Sequence, residues 1–193
     1  MQYINCKQYA QEILDAVKAI PNKKSLVILT VGDNPASESY VKGKIKDCEY
    51  CGIPYKHIKI KESVDCGVEL FKHINLFNVD DSVGGIIVQL PLPDYLPEDF
   101  FTQKIKPEKD VDGFLPNSPF KPCTPEGIMY LLRKELGDLT GKEAVVIGRG
   151  KLVGEPIAKM LLEANCTVTV AHSKTPRDEL LIRSIPKALA CTG

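Results

Sequence analysis

Leu26-Val27-Ile28-Leu29-Thr30-Val31 is a continuous, β-branched-rich apolar run, not an alternating one, which predicts a strand covered on both faces. Strands of that kind belong to parallel sheets flanked by helices, so this run restricts the chain to α/β architectures. Its surroundings agree. Before it, residues 5–19 place Ala10, Ile13, Leu14, Val17 and Ala19 at helical spacing, with Pro21 as the stop. After it, a helix with its N-cap at Ser37 or Ser39 ends at Cys51-Gly52, glycine serving as the C-cap. A weakly alternating strand over Tyr55–Ile60, a helix over 66–77 and a strand over 84–90 complete an αβαβαβ order. That order predicts right-handed crossovers and a mainly parallel sheet.

The middle of the chain is rich in proline, from Pro91 to Pro125, and is expected to hold rigid loops and a domain boundary. A helix over 125–135 follows. Ala144–Gly148 then reads as a strand, 154–164 as a helix and Cys166–Ala171 as a strand. Two lobes are expected, residues 1–120 and 121–193.

The chain has 193 residues, of which 44% are hydrophobic and 26% charged, with 25 basic against 25 acidic side chains. This balance argues against general attraction to nucleic acid or an anionic membrane. No apolar run approaches the ~20 residues of a membrane span. The N-terminus lacks a signal-peptide layout. Seven scattered cysteines suit a reducing cytoplasm better than a disulfide framework. Cys48 and Cys51 have CxxC spacing, yet a second pair of zinc ligands is missing from the sequence, so no metal site is expected.

Two places carry chemistry. Tyr40 and Lys44 lie four residues apart at the start of a helix and share a face. An aromatic ring beside an ammonium suits a flat, electron-poor substrate, although alone the pair reads more readily as a boundary aromatic and a surface lysine. Gly148-Arg149-Gly150-Lys151-Leu152-Val153-Gly154 sits between a strand and a helix, where free N–H groups can meet a pyrophosphate. NAD-binding folds place an acid at the end of the next strand, whereas this chain has Ala171-His172-Ser173-Lys174-Thr175. With Arg149 in the turn, NADP is favoured. Asp110 and Asp112 alone could be turn formers, and Gln89 a strand end.

Taken in order, Val31–Ser37 with Tyr40-x3-Lys44, Val88-Gln89-Leu90-Pro91-Leu92-Pro93, Lys109-Asp110-Val111-Asp112-Gly113-Phe114, Pro122–Gly127, the glycine turn and His172–Thr175 closely resemble the bifunctional methylenetetrahydrofolate dehydrogenase/methenyltetrahydrofolate cyclohydrolase family. The resemblance implies an α/β catalytic lobe with folate in a cleft between it and a Rossmann-like lobe. It also implies NADP-dependent oxidation of 5,10-methylenetetrahydrofolate, hydrolysis of the product to 10-formyltetrahydrofolate, and a cytoplasmic homodimer. By the same resemblance Lys44 is the catalytic lysine, Gln89 its orienting glutamine, Tyr40 the stacking tyrosine and Asp112 the pterin anchor. Pro91 and Leu92 join them as substrate contacts. Gly148, Arg149, Gly150, Val153, Gly154, His172 and Ser173 are the expected cofactor contacts.

Gly150 replaces the serine that many members carry. Few residues follow Thr140, so the second lobe is expected to be an incomplete dinucleotide fold. Pro186-Lys187 stands where an acid is expected before the next strand, which begins near Ala188. Two other classes stay open at this point: a shortened, non-catalytic folate-binding protein, and a different two-domain dehydrogenase such as one like shikimate dehydrogenase. Convergence of Lys44, Gln89 and Asp112 would argue against the latter.

Overall fold

A computed structural model of the chain describes residues 5–176 and the backbone of 189–192. The chain divides into two compact units, Met1–Phe120 and Lys121–Gly193.

In the first unit the order is α1 (Cys6–Lys18), β1 (Ser25–Val31), α2 (Pro35–Cys51), β2 (Tyr55–Ile60), α3 (Cys66–Asn78), β3 (Val83–Val88) and α4 (Glu98–Thr102), then a single 3-10 turn at Pro107–Lys109. The sheet order is β2-β1-β3, all parallel, with Leu26 opposite Tyr55 and Leu29 opposite Val88. β1 is the middle strand, and Val27, Ile28 and Leu29 are fully buried, as the unbroken apolar run requires. Alternate residues face opposite ways along a strand. Val27, Leu29, Ile86 and Val88 therefore pack with Leu70, Ile74 and Phe77 of α3 in one core. Each such side chain taken out of water contributes ~1.5–3 kcal/mol.

Helix α2 begins earlier than expected. Its N-cap is Asn34, whose Oδ1 accepts from Ala36 N–H at 3.0 Å and Ser37 N–H at 3.1 Å. Pro35 explains the difference from Ser37 or Ser39, since its fixed φ suits the first helical position and its missing N–H costs nothing there. Gly52, with φ 65°, closes the helix in the left-handed conformation that glycine adopts freely. α1 lies on α2 through polar contacts: the Tyr50 hydroxyl donates to Asp15 at 2.6 Å, Gln11 donates to Tyr50 at 2.9 Å, and Cys51 Sγ donates to the Leu14 carbonyl at 3.4 Å. Cys48 and Cys51 are buried, and burial pushes the Cys48 thiol up, away from the thiolate a metal or redox site would need.

In the second unit the order is α5 (Cys123–Leu136), β4 (Glu143–Ile147), α6 (Gly154–Glu163), β5 (Thr167–Ala171) and β6 (Leu189–Thr192). The sheet order is β5-β4-β6, again parallel. Met129 and Leu132 of α5 share a core with Ile157 and Leu161 of α6 and with Val146 of β4. α5 starts two residues before its expected position, with Pro125 buried in its first turn. The strand expected near Ala188 is present as β6, whereas Pro186 and Lys187 lie outside the described residues.

Candidate active site

The chain runs from β1 through α2 to β2, then returns through α3 to β3 on the other side of β1. The connections therefore diverge at the carboxyl ends of β1 and β3, the place where open parallel sheets form a crevice for ligands. Lys44 and Gln89 meet there. Gln89 directly follows β3, and its N–H donates to the Leu29 carbonyl at 2.9 Å, carrying the β1–β3 ladder one residue further. The Lys44 Nζ on α2 donates to Gln89 Oε1 at 2.9 Å. The amide is fixed from its other end too, since Gln89 Nε2 donates to the Leu90 carbonyl at 2.7 Å. Ser37 Oγ donates to the same carbonyl at 3.4 Å. Ser37 is therefore a wall residue of this site, a role hidden in the sequence because a serine there resembles a helix cap.

Tyr40 lies one turn before Lys44 and is 67% exposed, so its ring is open to a flat partner. Asp112 lies on the loop that follows the 3-10 turn Pro107–Lys109. Burial raises its carboxyl above the usual range, the Lys44 charge partly opposes that, and the neighbouring Asp110 charge adds to it. The Lys44 charge thus acts on Asp112 although the two are far apart in sequence. Asp110 is held by its own hydrogen bonds. Its Oδ2 accepts from Leu115 N–H at 2.8 Å and its carbonyl from Ser118 Oγ at 3.1 Å, so it is the turn former of the pair. Pro91 is exposed beside Gln89, whereas the Leu92 side chain is 6% exposed within the α3-side core. The Leu92 N–H donates to Glu98 Oε1 at 3.1 Å.

A pocket of about 280 Å³ is lined by Gln89 and Ser37 together with Thr30, Val41, Ile45 and His57. Thr30 Oγ1 and His57 Nε2 are 3.0 Å apart, and burial, then Lys59, lowers the imidazole so that it stays neutral near pH 7.

In the second unit, Gly148 has φ 110°, a conformation side chains strain to adopt, and its N–H donates to the Ala171 carbonyl at 2.7 Å. A Cβ at Gly154 would stand 2.6 Å from the Gly148 carbonyl oxygen, so only glycine lets α6 begin this close to β4. These two glycines leave the first turn of α6 in the place a pyrophosphate would take. Gly150 differs: a Cβ there meets nothing within 4 Å, so the turn does not require it. Val153 precedes α6 as its N-cap, and Arg149 is exposed in the turn. The segment after β5 forms a compact turn, with His172 N–H donating to Thr175 Oγ1 at 2.9 Å and Lys174 N–H to His172 Nδ1 at 3.2 Å. Ser173 and Lys174 are exposed on it.

The family model for the tetrahydrofolate dehydrogenase/cyclohydrolase catalytic domain matches residues 4–112, and that for the NAD(P)-binding domain of the same proteins matches residues 122–187. The chain belongs to the tetrahydrofolate dehydrogenase/cyclohydrolase family. Among members of this family, the bifunctional protein FolD of Campylobacter jejuni is 43% identical over 197 residues, covering 97% of this chain and 70% of that protein. FolD of Oceanobacillus iheyensis is 44% identical over 188 residues, covering 89% of this chain and 66% of the relative. The crystal structure of the Campylobacter jejuni enzyme superposes with a TM-score of 0.84 at 43% identity, over 97% of this chain and 70% of that one. The Trypanosoma brucei enzyme, whose structure holds NADP and an inhibitor, gives a TM-score of 0.89 at 28% identity, over 100% of this chain and 72% of that one.

Proposed function

We infer that this chain oxidises 5,10-methylenetetrahydrofolate with NADP and hydrolyses the methenyl product to 10-formyltetrahydrofolate. The observation that carries this reading is the 2.9 Å bond from Lys44 to Gln89, with Asp112 inside the field of the same ammonium. Asp112 accepts the adjacent N–H donors of the pterin as a bidentate pair, and Tyr40 stacks on the ring system that follows. NADP takes the hydride from the methylene carbon. Water then adds to the methenyl carbon, Lys44 takes its proton, and ring opening leaves the formyl group on nitrogen. Gln89 keeps the amine in line without adding charge.

The glycine cradle supports the cofactor part of the reading, because a pyrophosphate needs the close approach that Gly148 and Gly154 allow. Arg149, with Ser173 and Lys174 and with no acid in the sequence from Ala171 to Thr175, favours the 2′-phosphate of NADP. Val153 and the His172 turn line the approach. Gly150 is at most a backbone contact. The resemblance supports a homodimer, and the charge balance and reduced cysteines support a cytoplasmic location.

Lys44→Met tests the reading. Hydrolysis of methenyltetrahydrofolate should be abolished while folate binding largely persists. Unchanged hydrolysis would remove Lys44 from the mechanism.

A further inference from the structure

Lys109 is a charged side chain in an unexpected place. It is 8% exposed, and its ammonium donates to the Phe77 carbonyl at 2.8 Å and the Asp80 carbonyl at 2.7 Å. Phe77 belongs to the last turn of α3, whose carbonyls have no partner within the helix. A cation at that end satisfies them and suits the helix dipole. Yet burying an ammonium is costly, and an apolar side chain would fill the same space more cheaply. The lysine provides direction: it ties the loop holding Asp112 to the end of α3. A second tie lies just upstream, where Asn78 Oδ1 accepts from Lys106 N–H at 2.9 Å and Asn78 Nδ2 donates to the Lys104 carbonyl at 2.7 Å.

From Lys109 onward the loop is held residue by residue. Asp110 turns toward Leu115 and Ser118. Val111 rests on β3 in space that only glycine leaves, since a Cβ at Gly85 would stand 2.5 Å from Val111 Cγ1. Asp112 follows directly, its carboxyl within the electrostatic influence of Lys44. We propose that Lys109 is a positioning residue for substrate recognition, acting through Val111 to fix the Asp112 carboxylate against the pterin. The proposal rests on the reading of Asp112 as the pterin acceptor.

A double-mutant cycle separates positioning from simple stabilisation. Binding of 5-formyltetrahydrofolate, a folate that does not turn over, is measured for the full chain, for Lys109→Met, for Asp112→Asn and for the double variant, alongside the KM for NADP. Lys109→Met should weaken folate binding roughly tenfold, as small misplacements of a binding group do, and leave the KM for NADP unchanged. In the Asp112→Asn background the same substitution should cost nothing further. Val111→Ala, a milder change, should follow the same pattern if Lys109→Met does not fold. Binding by Lys109→Met as tight as wild type, or a loss that adds in full to that of Asp112→Asn, would overturn the proposal. Asp112→Asn binding as tightly as the unaltered chain would instead overturn the reading of Asp112 itself, and the proposal with it.

Discussion

Asp112 carries opposing demands. Its carboxyl is raised first by burial, is lowered in part by Lys44, and is raised again by Asp110. A raised acid must lose its proton before it can accept two N–H donors. Folate binding should therefore weaken as pH falls through this raised value, with an acid limb above the ordinary carboxylate range. Lys44→Met removes the lowering charge and should move that limb to higher pH. Asp110→Asn removes a like charge and should move it to lower pH. The pH profile of folate affinity in the three proteins checks both directions, and a limb that stays put in both variants would contradict them. Protonation of Asp112 also favours folding, since the folded state binds that proton more tightly. The corresponding stability is present below the unfolded pKa and is lost as pH rises through the folded one.

At the scale of elements, periodicity and apolar runs located the strands of both sheets and the long helices, because burial on both faces and on one stripe leave different spacings. What local spacing could not show were contacts made at a distance. α4 is five residues long, too short for a period, and is kept by burial of Phe101 in the core. The start of α2 went to Asn34 because its amide oxygen reaches two N–H groups, which the neighbouring serines obscured. Asn34→Ala should lower stability by about 1 kcal/mol, read as a drop in melting temperature, and Asn34→Asp should restore it. Likewise the glycine turn was legible as a motif, but its spacing gave no sign that Gly148 and Gly154 are required and Gly150 is not. Arg149 in that turn should set cofactor choice. A charge-assisted hydrogen bond contributes ~1.5–3 kcal/mol, so Arg149→Ala should reduce the preference for NADP over NAD tenfold or more. The ratio of the two dissociation constants measures this, and an unmoved ratio would place the 2′-phosphate elsewhere.

For the whole molecule, the candidate site was readable only by combining motifs. Lys44 and Gln89 come from a helix and a strand end, and their meeting depends on strand order, which no single motif states. Among the described residues, no helix is long and apolar enough to cross a membrane. The two activities make one sequence of reactions, so they are best followed together in the unaltered chain. The most direct measurement supplies 5,10-methylenetetrahydrofolate and NADP and follows NADPH and 10-formyltetrahydrofolate over time. The account predicts that both appear, formyl product following NADPH. Absence of NADPH formation in a chain that binds both ligands would contradict it.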